Sequence, residues 1–318
     1  MSRARSRLVI GLLLAVIAVA VGVYVTSTTD TSPRIAIGGE AADAFGPDGA
    51  IDAGVHRGIF SPDGSLVAAI NANGVGVLRH GHVQLVTPAE SAAVDAAWMP
   101  DSRSLLIAEG PATMQQLTVL TLDGAVKGVA RLDEPFAVGF GFGLAVDRRG
   151  ARAVAVREAR DPIGGHRRHD LVLIELTSGH VSVLTDTEDA DEEMPVFLDD
   201  DRLVYASATG TDVAVMERTL SSGQTRQISR ASEVAEPVGV VLGVQPVYAT
   251  TADDGVVAVW VVLQSGRRAR IGKLAKWTNV WSVSPRGTAA IVSSAPPHTR
   301  NGPYATRFVR AVTLTAPT

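Results

Sequence analysis

Two stretches of this chain gather side chains that could do chemistry. His166, His169 and Asp170 stand together in a run that also holds Arg157, Arg160, Arg167 and Arg168. A His-x-x-His-Asp cluster can ligate a transition metal through its imidazole nitrogens. The flanking arginines oppose a cation, and the strict spacing of a zinc site is absent, so the competing reading is a solvated loop. The second stretch is acidic: Asp186, Glu188, Asp189, Asp191, Glu192 and Glu193. Carboxylates at alternating positions can bind calcium. The glycine and the terminal bidentate glutamate of a calcium loop are missing at the required offsets, which leaves a charged loop paired with the nearby arginines. A third polar stretch, His298, Arg300 and Tyr304, lies among Pro296, Pro297 and Pro303, whose stiffness suits a protein contact. No metal ligand, cofactor or catalytic residue is assigned.

Nothing else in the sequence has the form of a reactive centre. No G-x-S-x-G elbow, H-E-x-x-H helix or phosphate-binding loop occurs. His80 and His82 flank a glycine and read as surface residues of a tight turn. With no cysteine in 318 residues, disulfides, thiolate metal sites and cysteine nucleophiles are excluded. A formal net charge of -4 gives no reason to expect a nucleic-acid partner. Hydrophobic residues make up 46% and charged residues 19%, a balance that supports a large core and excludes a disordered chain.

The N-terminus addresses the chain to a membrane. Arg3, Arg5 and Arg7 precede an uncharged run over residues 8–25, close to the roughly 20 residues a helix needs to span the hydrocarbon layer. Residues 1–7 are then a cytoplasmic tail, 8–25 a transmembrane helix and 26–33 a tether, with everything beyond facing outward. Ala18-Val19-Ala20 also resembles a cleavage site, so secretion after cleavage is the alternative. The apolar run continues past it, which favours a retained anchor.

The elements that must hold the polar stretches come from a repeat. Ser61-Pro62-Asp63-Gly64 joins two apolar strands, and related turns occur around Pro100, Arg148, Asp199, a degenerate copy at Leu242, and Pro285. In such a turn proline presets φ, aspartate bonds nearby backbone and glycine tolerates positive φ. Intervals of about 40–50 residues, each filled with strands, define a β-propeller, here an all-β fold of six blades with four strands each. Outer hairpins follow at Asp123-Gly124, Thr177-Ser178-Gly179-His180 and Ser221-Ser222-Gly223. Trp98 occupies the place of Phe60 and Phe197 before the turn, so it is expected between blades, and Trp260, Trp277 and Trp281 are expected in the core or rim. The sixth blade runs out one strand short, and residues 34–37 are expected to complete it, closing a propeller over 34–318 and removing its open edges.

The Ser-Pro-Asp-Gly turn, the Leu-Val-Ala strand after it and the outer hairpin with Thr-Ser-Gly resemble the WD40-like (PD40) repeat of TolB-type six-bladed propellers, over roughly residues 34–314. Residues 58–70 match that pattern well; the copies at Pro100 and Pro285 match it in part. The resemblance implies an extracytoplasmic interaction module, and its motif is a structural turn without a catalytic residue. No second domain like the one preceding the TolB propeller is expected from these residues, so a place in the Tol–Pal system is not implied.

In this architecture the loops joining the second strand to the third, and one blade to the next, emerge on one face. The longest of the first kind are expected at 157–169 and, in the opposite blade, at 294–306; the crossover at 186–193 opens beside the former. Binding is expected there, on Arg160, His166, Arg167, His169, Asp170, Asp189, Asp191, His298, Arg300 and Tyr304, with a protein partner not identified by sequence. The leading expectation is a non-catalytic, membrane-tethered scaffold. The alternative is a metal-dependent hydrolase or lactonase using the central funnel.

Overall fold

The structure is a computed structural model that describes residues 41–46, 49–51, 54–88, 93–109, 113–136, 143–160, 167–231, 233–276, 278–294 and 308–314. Its described part is almost entirely strand, with one short 3-10 turn at Ala42–Ala44. The first blade is β1 (Val55–Phe60), β2 (Val67–Asn71), β3 (Gly74–Arg79) and β4 (His82–Leu85). The second is β5 (Ala93–Trp98), β6 (Ser104–Glu109), β7 (Met114–Thr121) and β8 (Val126–Phe136), and the third is β9 (Ala145–Val146), β10 (Arg152–Arg160), β11 (Arg167–Glu175) and β12 (Val181–Val183). Next come β13 (Asp191–Phe197), β14 (Arg202–Thr209), β15 (Asp212–Thr219) and β16 (Thr225–Gln227). The fifth blade is β17 (Val234–Val241), β18 (Gln245–Thr251), β19 (Val257–Val262) and β20 (Arg268–Leu274), and the sixth is β21 (Thr278–Val283), β22 (Ala289–Ser294) and β23 (Phe308–Thr313). Within each of these six antiparallel sheets neighbours in sequence are neighbours in space. The first strands of the blades touch in succession around a ring, and β21 returns to β1. This is the six-bladed propeller that the repeat predicts.

Six apolar clusters, one at each junction between blades, hold the ring together. Val67, Ala69 and Leu78 pack against Ala289, Ile291 and Ala311, while Ala68, Ile70 and Val77 pack against Trp98, Leu105 and Ile107 on the other side. The second strands are buried on both faces along their middles, which is why Leu105-Leu106-Ile107-Ala108 is continuously apolar rather than alternating. Each fully buried Leu or Ile contributes about 1.5–3 kcal/mol by removal from water. Truncating one to alanine costs about 2–5 kcal/mol, because the flanking blades cannot collapse into the gap.

The turn chemistry repeats even where the residues do not. Ser61 Oγ accepts from the N–H of Leu66 at 3.0 Å, Ser284 Oγ from Ala289 at 3.0 Å, and Asp147 Oδ1 from Arg152 at 3.2 Å. In each case an oxygen just before the turn satisfies an amide five residues on, so serine and aspartate are interchangeable there. Adjacent blades are also riveted. Trp98 Nε1 donates to Ile59 O at 2.9 Å, which seats Trp98 between blades as expected, and Ser282 Oγ donates to Gly58 O at 2.9 Å where the last blade meets the first.

The sixth sheet has three described strands. Beside β23 the structure places Ala50, bridged antiparallel to Arg310. The strand expected at 34–37, the anchor at 8–25 and Trp277 lie outside the described residues. Among the described residues no helix is long and apolar enough to cross a membrane.

One sequence expectation is corrected. The stretch 157–169 is mostly hairpin, not loop: β10 and β11 stay in register out to the pair Arg160↔Arg167. The polar residues that suggested a loop are cross-strand partners, with Arg157 opposite Asp170 and Glu158 opposite His169. Opposite charges across a ladder stabilise it by about 0.2–1 kcal/mol per pair, enough to carry the strands beyond their apolar part.

Candidate functional site

The extended β10–β11 hairpin brings His169 to the start of β13, the first strand of the next blade. His169 donates its backbone N–H to Asp191 Oδ1 at 2.9 Å, and its ring Nδ1 bonds Glu193 Oε1. A β-bulge follows Glu193, where Met194 takes φ of 55° and the register slips before Val196. Bulges re-aim side chains, and this one separates the charged start of β13 from its apolar end, Val196 and Phe197. Similar register shifts occur in β1, β5, β17 and β21, so the bulge belongs to the repeat.

Burial acts against charge on His169, but the Glu193 carboxylate, helped by Asp191 and Glu158, reverses this and holds the imidazole above its ordinary range. Burial lifts the Asp191 carboxyl, with Glu193 and Asp170 pushing the same way against the His169 contact. Glu236, on β17 of the fifth blade, is pushed up to about 7 by burial and by the charge of Glu193. His169, Asp191, Glu193 and Glu236 thus form one electrostatic group where blades three, four and five meet.

Behind it lies a second, drier group. Asp170 is 0% exposed and receives Arg157 Nη2 at 3.2 Å, with Arg168 Nε at 3.5 Å; Arg168 also pairs with Asp186. Glu192 is 2% exposed and is pushed up to about 7, first by burial and then by Asp170 and Asp191, against hydrogen bonds from Thr187 and Thr185. Among the described residues, Asp170 Oδ1 and Glu192 Oε2 have no hydrogen-bond partner.

Across the ring, Arg57 Nη1 meets Asp95 Oδ1 at 2.6 Å, and Asp95 Oδ2 accepts the N–H groups of Gly143 at 2.6 Å and Leu144 at 3.0 Å. This array spans blades one to three with its acceptors filled, and it reads as a rivet between inner strands. A depression of about 300 Å³ among Glu217, Thr219, Gln224, Thr225 and Arg226 lies on the outer strands of the fourth blade, not on the inner strand that carries Glu193. Arg226 there is already paired to Glu217 at 2.9 Å.

Of the residues expected from sequence, the structure brings His169, Asp170 and Asp191 together at one junction. Asp189 stands exposed on the adjoining crossover, and Arg160 and Arg167 form the last pair of the hairpin. His166, His298, Arg300 and Tyr304 lie outside the described residues. Sequence reasoning missed Glu158 and Glu236 and gave Glu192 and Glu193 no separate role. The available signal was a carboxylate inside an otherwise apolar inner strand, as in Val234-Ala235-Glu236-Pro237-Val238; Asp95 in β5 fits the same pattern. Among the described residues no group of three or more His, Asp or Glu is arranged to hold a metal ion.

The fold places the chain among the β-propellers, and solved structures narrow its likeness. A putative TolB from Agrobacterium tumefaciens superimposes with a TM-score of 0.51 at 16% identity, covering 72% of this chain and 80% of that one. TolB from Acinetobacter baumannii gives a TM-score of 0.53 at 12% identity, over 85% of this chain and 65% of that one. An oligogalacturonate lyase from Vibrio parahaemolyticus gives 0.53 at 13% identity, over 84% and 79%. At these identities the shared property is the TolB-like propeller fold. No family model and no curated protein matches the sequence.

Proposed function

We propose that this chain is a membrane-anchored, extracytoplasmic propeller that acts as a non-catalytic scaffold, binding a protein or ligand through the face formed by the β10–β11 hairpin and the crossover at 186–190. One observation carries the reading: at the root of this face His169 is held on Glu193 and Asp170 lies between two arginines, while the crossover holds Glu188 and Asp189 out to solvent. A catalytic centre needs a nucleophile or base with a free position toward substrate. A binding face needs exposed polar groups on a rigid frame. The N-terminal arginines and apolar run support the anchored, outward orientation.

The test is recovery of partners from membranes with wild-type protein and a Glu188→Lys, Asp189→Lys variant. Loss of a partner by the variant is expected; equal recovery by both would overturn the assignment of the face. The second reading, a metal-dependent hydrolase using the central funnel, is prompted by the propeller fold shared with an oligogalacturonate lyase solved in complex with manganese. Metal analysis of purified protein separates the two: a stoichiometric divalent ion would displace the scaffold reading.

A further inference from the structure

Glu192 and Asp170 are enclosed where the crossover from blade three enters blade four, and among the described residues each keeps a carboxylate oxygen with no donor. A buried acceptor without a donor costs about 1–3 kcal/mol, more when it is charged. Asp170 is compensated by Arg157 and Arg168 through its other oxygen. Among the described residues no cation acts on Glu192. Around it stand Thr185 and Thr187 of the crossover, Asp170 of β11, Asp191 of its own strand, and the Tyr205 ring of β14, which feels Arg218 in turn. Thr185 Oγ1 is itself tied down, accepting the N–H of Leu171 at 2.7 Å. A proton is the one species that removes the charge of Glu192 and turns an oxygen from acceptor into donor.

We infer that Glu192 is a proton-controlled clasp: protonated, it holds the crossover at 185–190 against β11, and deprotonated, it lets that crossover open. The clasp sets how firmly the proposed binding face is presented, and it stands whether or not that face has a partner. The ordinary glutamate value is 4.5 and the enclosed value is about 7. The group is therefore raised in the closed state. Closed crossover binds the proton more tightly than open crossover, so closure is strongest below 4.5, weakens as pH rises to about 7, and is flat above.

Amide hydrogen exchange of the folded protein reads the clasp directly. Protection of residues 185–190, corrected for the intrinsic pH dependence of exchange, falls about tenfold or more from pH 5 to pH 8 in the wild type. Glu192→Gln keeps the shape without the titration, and its protection stays constant over the same range. Glu236→Gln, which removes another raised carboxyl outside the crossover, retains the wild-type dependence. A flat wild-type profile, or a Glu192→Gln profile that still falls, overturns the inference. Should Glu192→Gln not fold, carboxyl-carbon NMR of wild type decides: a Glu192 midpoint near 7 supports the clasp, and one near 4.5 refutes it.

Discussion

Replacing Gly179 with alanine tests whether the blades are locked at their outer rim as well as at their core. Gly179 sits in the turn between β11 and β12 with φ of +75°, and a Cβ placed there would lie 1.6 Å from Arg131 O and 2.6 Å from Arg131 C of the second blade. Those are backbone atoms of β8, so no side chain can swing away. The same turn is latched to β8 by three bonds: Asp133 N to Gly179 O at 3.0 Å, Val181 N to Asp133 Oδ1 at 2.9 Å, and His180 Nδ1 with Asp133 Oδ2 at 2.7 Å. To admit the methyl group, β8 and the turn must part and surrender these bonds. Left-handed backbone costs alanine about 1–2 kcal/mol, and the three bonds are worth about 1 kcal/mol each net, so the loss is about 4–5 kcal/mol. At roughly 2–4 °C per kcal/mol for a domain of this size, the melting temperature should fall by about 8–20 °C. Gly210 supplies the control: its φ is +66°, and nothing lies within 4 Å of its would-be Cβ. Gly210→Ala should lose only the backbone term, about 1–2 kcal/mol. If calorimetry finds the two variants melting within a degree or two of each other, the rim latch carries no stability and the argument fails.

Three further outcomes follow from the inner strands. Ser282→Ala deletes the buried bond to Gly58 O at the junction of last and first blades, and chemical denaturation should show a loss of about 1–3 kcal/mol. Asp95→Ala removes the acceptor that Arg57 Nη1 and the amides of Gly143 and Leu144 share; about 3–5 kcal/mol is expected to go, measured the same way, with Asp95→Asn losing less. Glu236 has a folded value of about 7 against 4.5 ordinarily, so its contribution is full below 4.5 and declines as pH rises toward 7. Stability curves of Glu236→Gln between pH 4.5 and 7 should therefore fall less steeply than those of wild type, and parallel curves would show that Glu236 does not titrate there.

How much of this was readable in the sequence depends on whether a residue's role is local. The A-to-B turns were readable because Ser61, Asp147 and Ser284 act on an amide five residues away, within one stretch of chain. Blade number was readable because the strand–turn–strand pattern recurs at intervals of about 40–50 residues along the chain. The hairpin of blade three was not. Arg157, Glu158, His169 and Asp170 are as polar as a solvated loop, and only the opposite strand supplies the countercharges that make them a ladder. Glu236 was invisible for a related reason. Its one charged neighbour of consequence, Glu193, is 43 positions away and in another blade, so no spacing rule joins them. In a propeller the inner strands meet only through the ring, and any chemistry assembled there is written in residues from several blades. That is why a carboxylate interrupting an apolar inner strand carries more information in this fold than the dense acidic run at 186–193, whose exposed members need no partner.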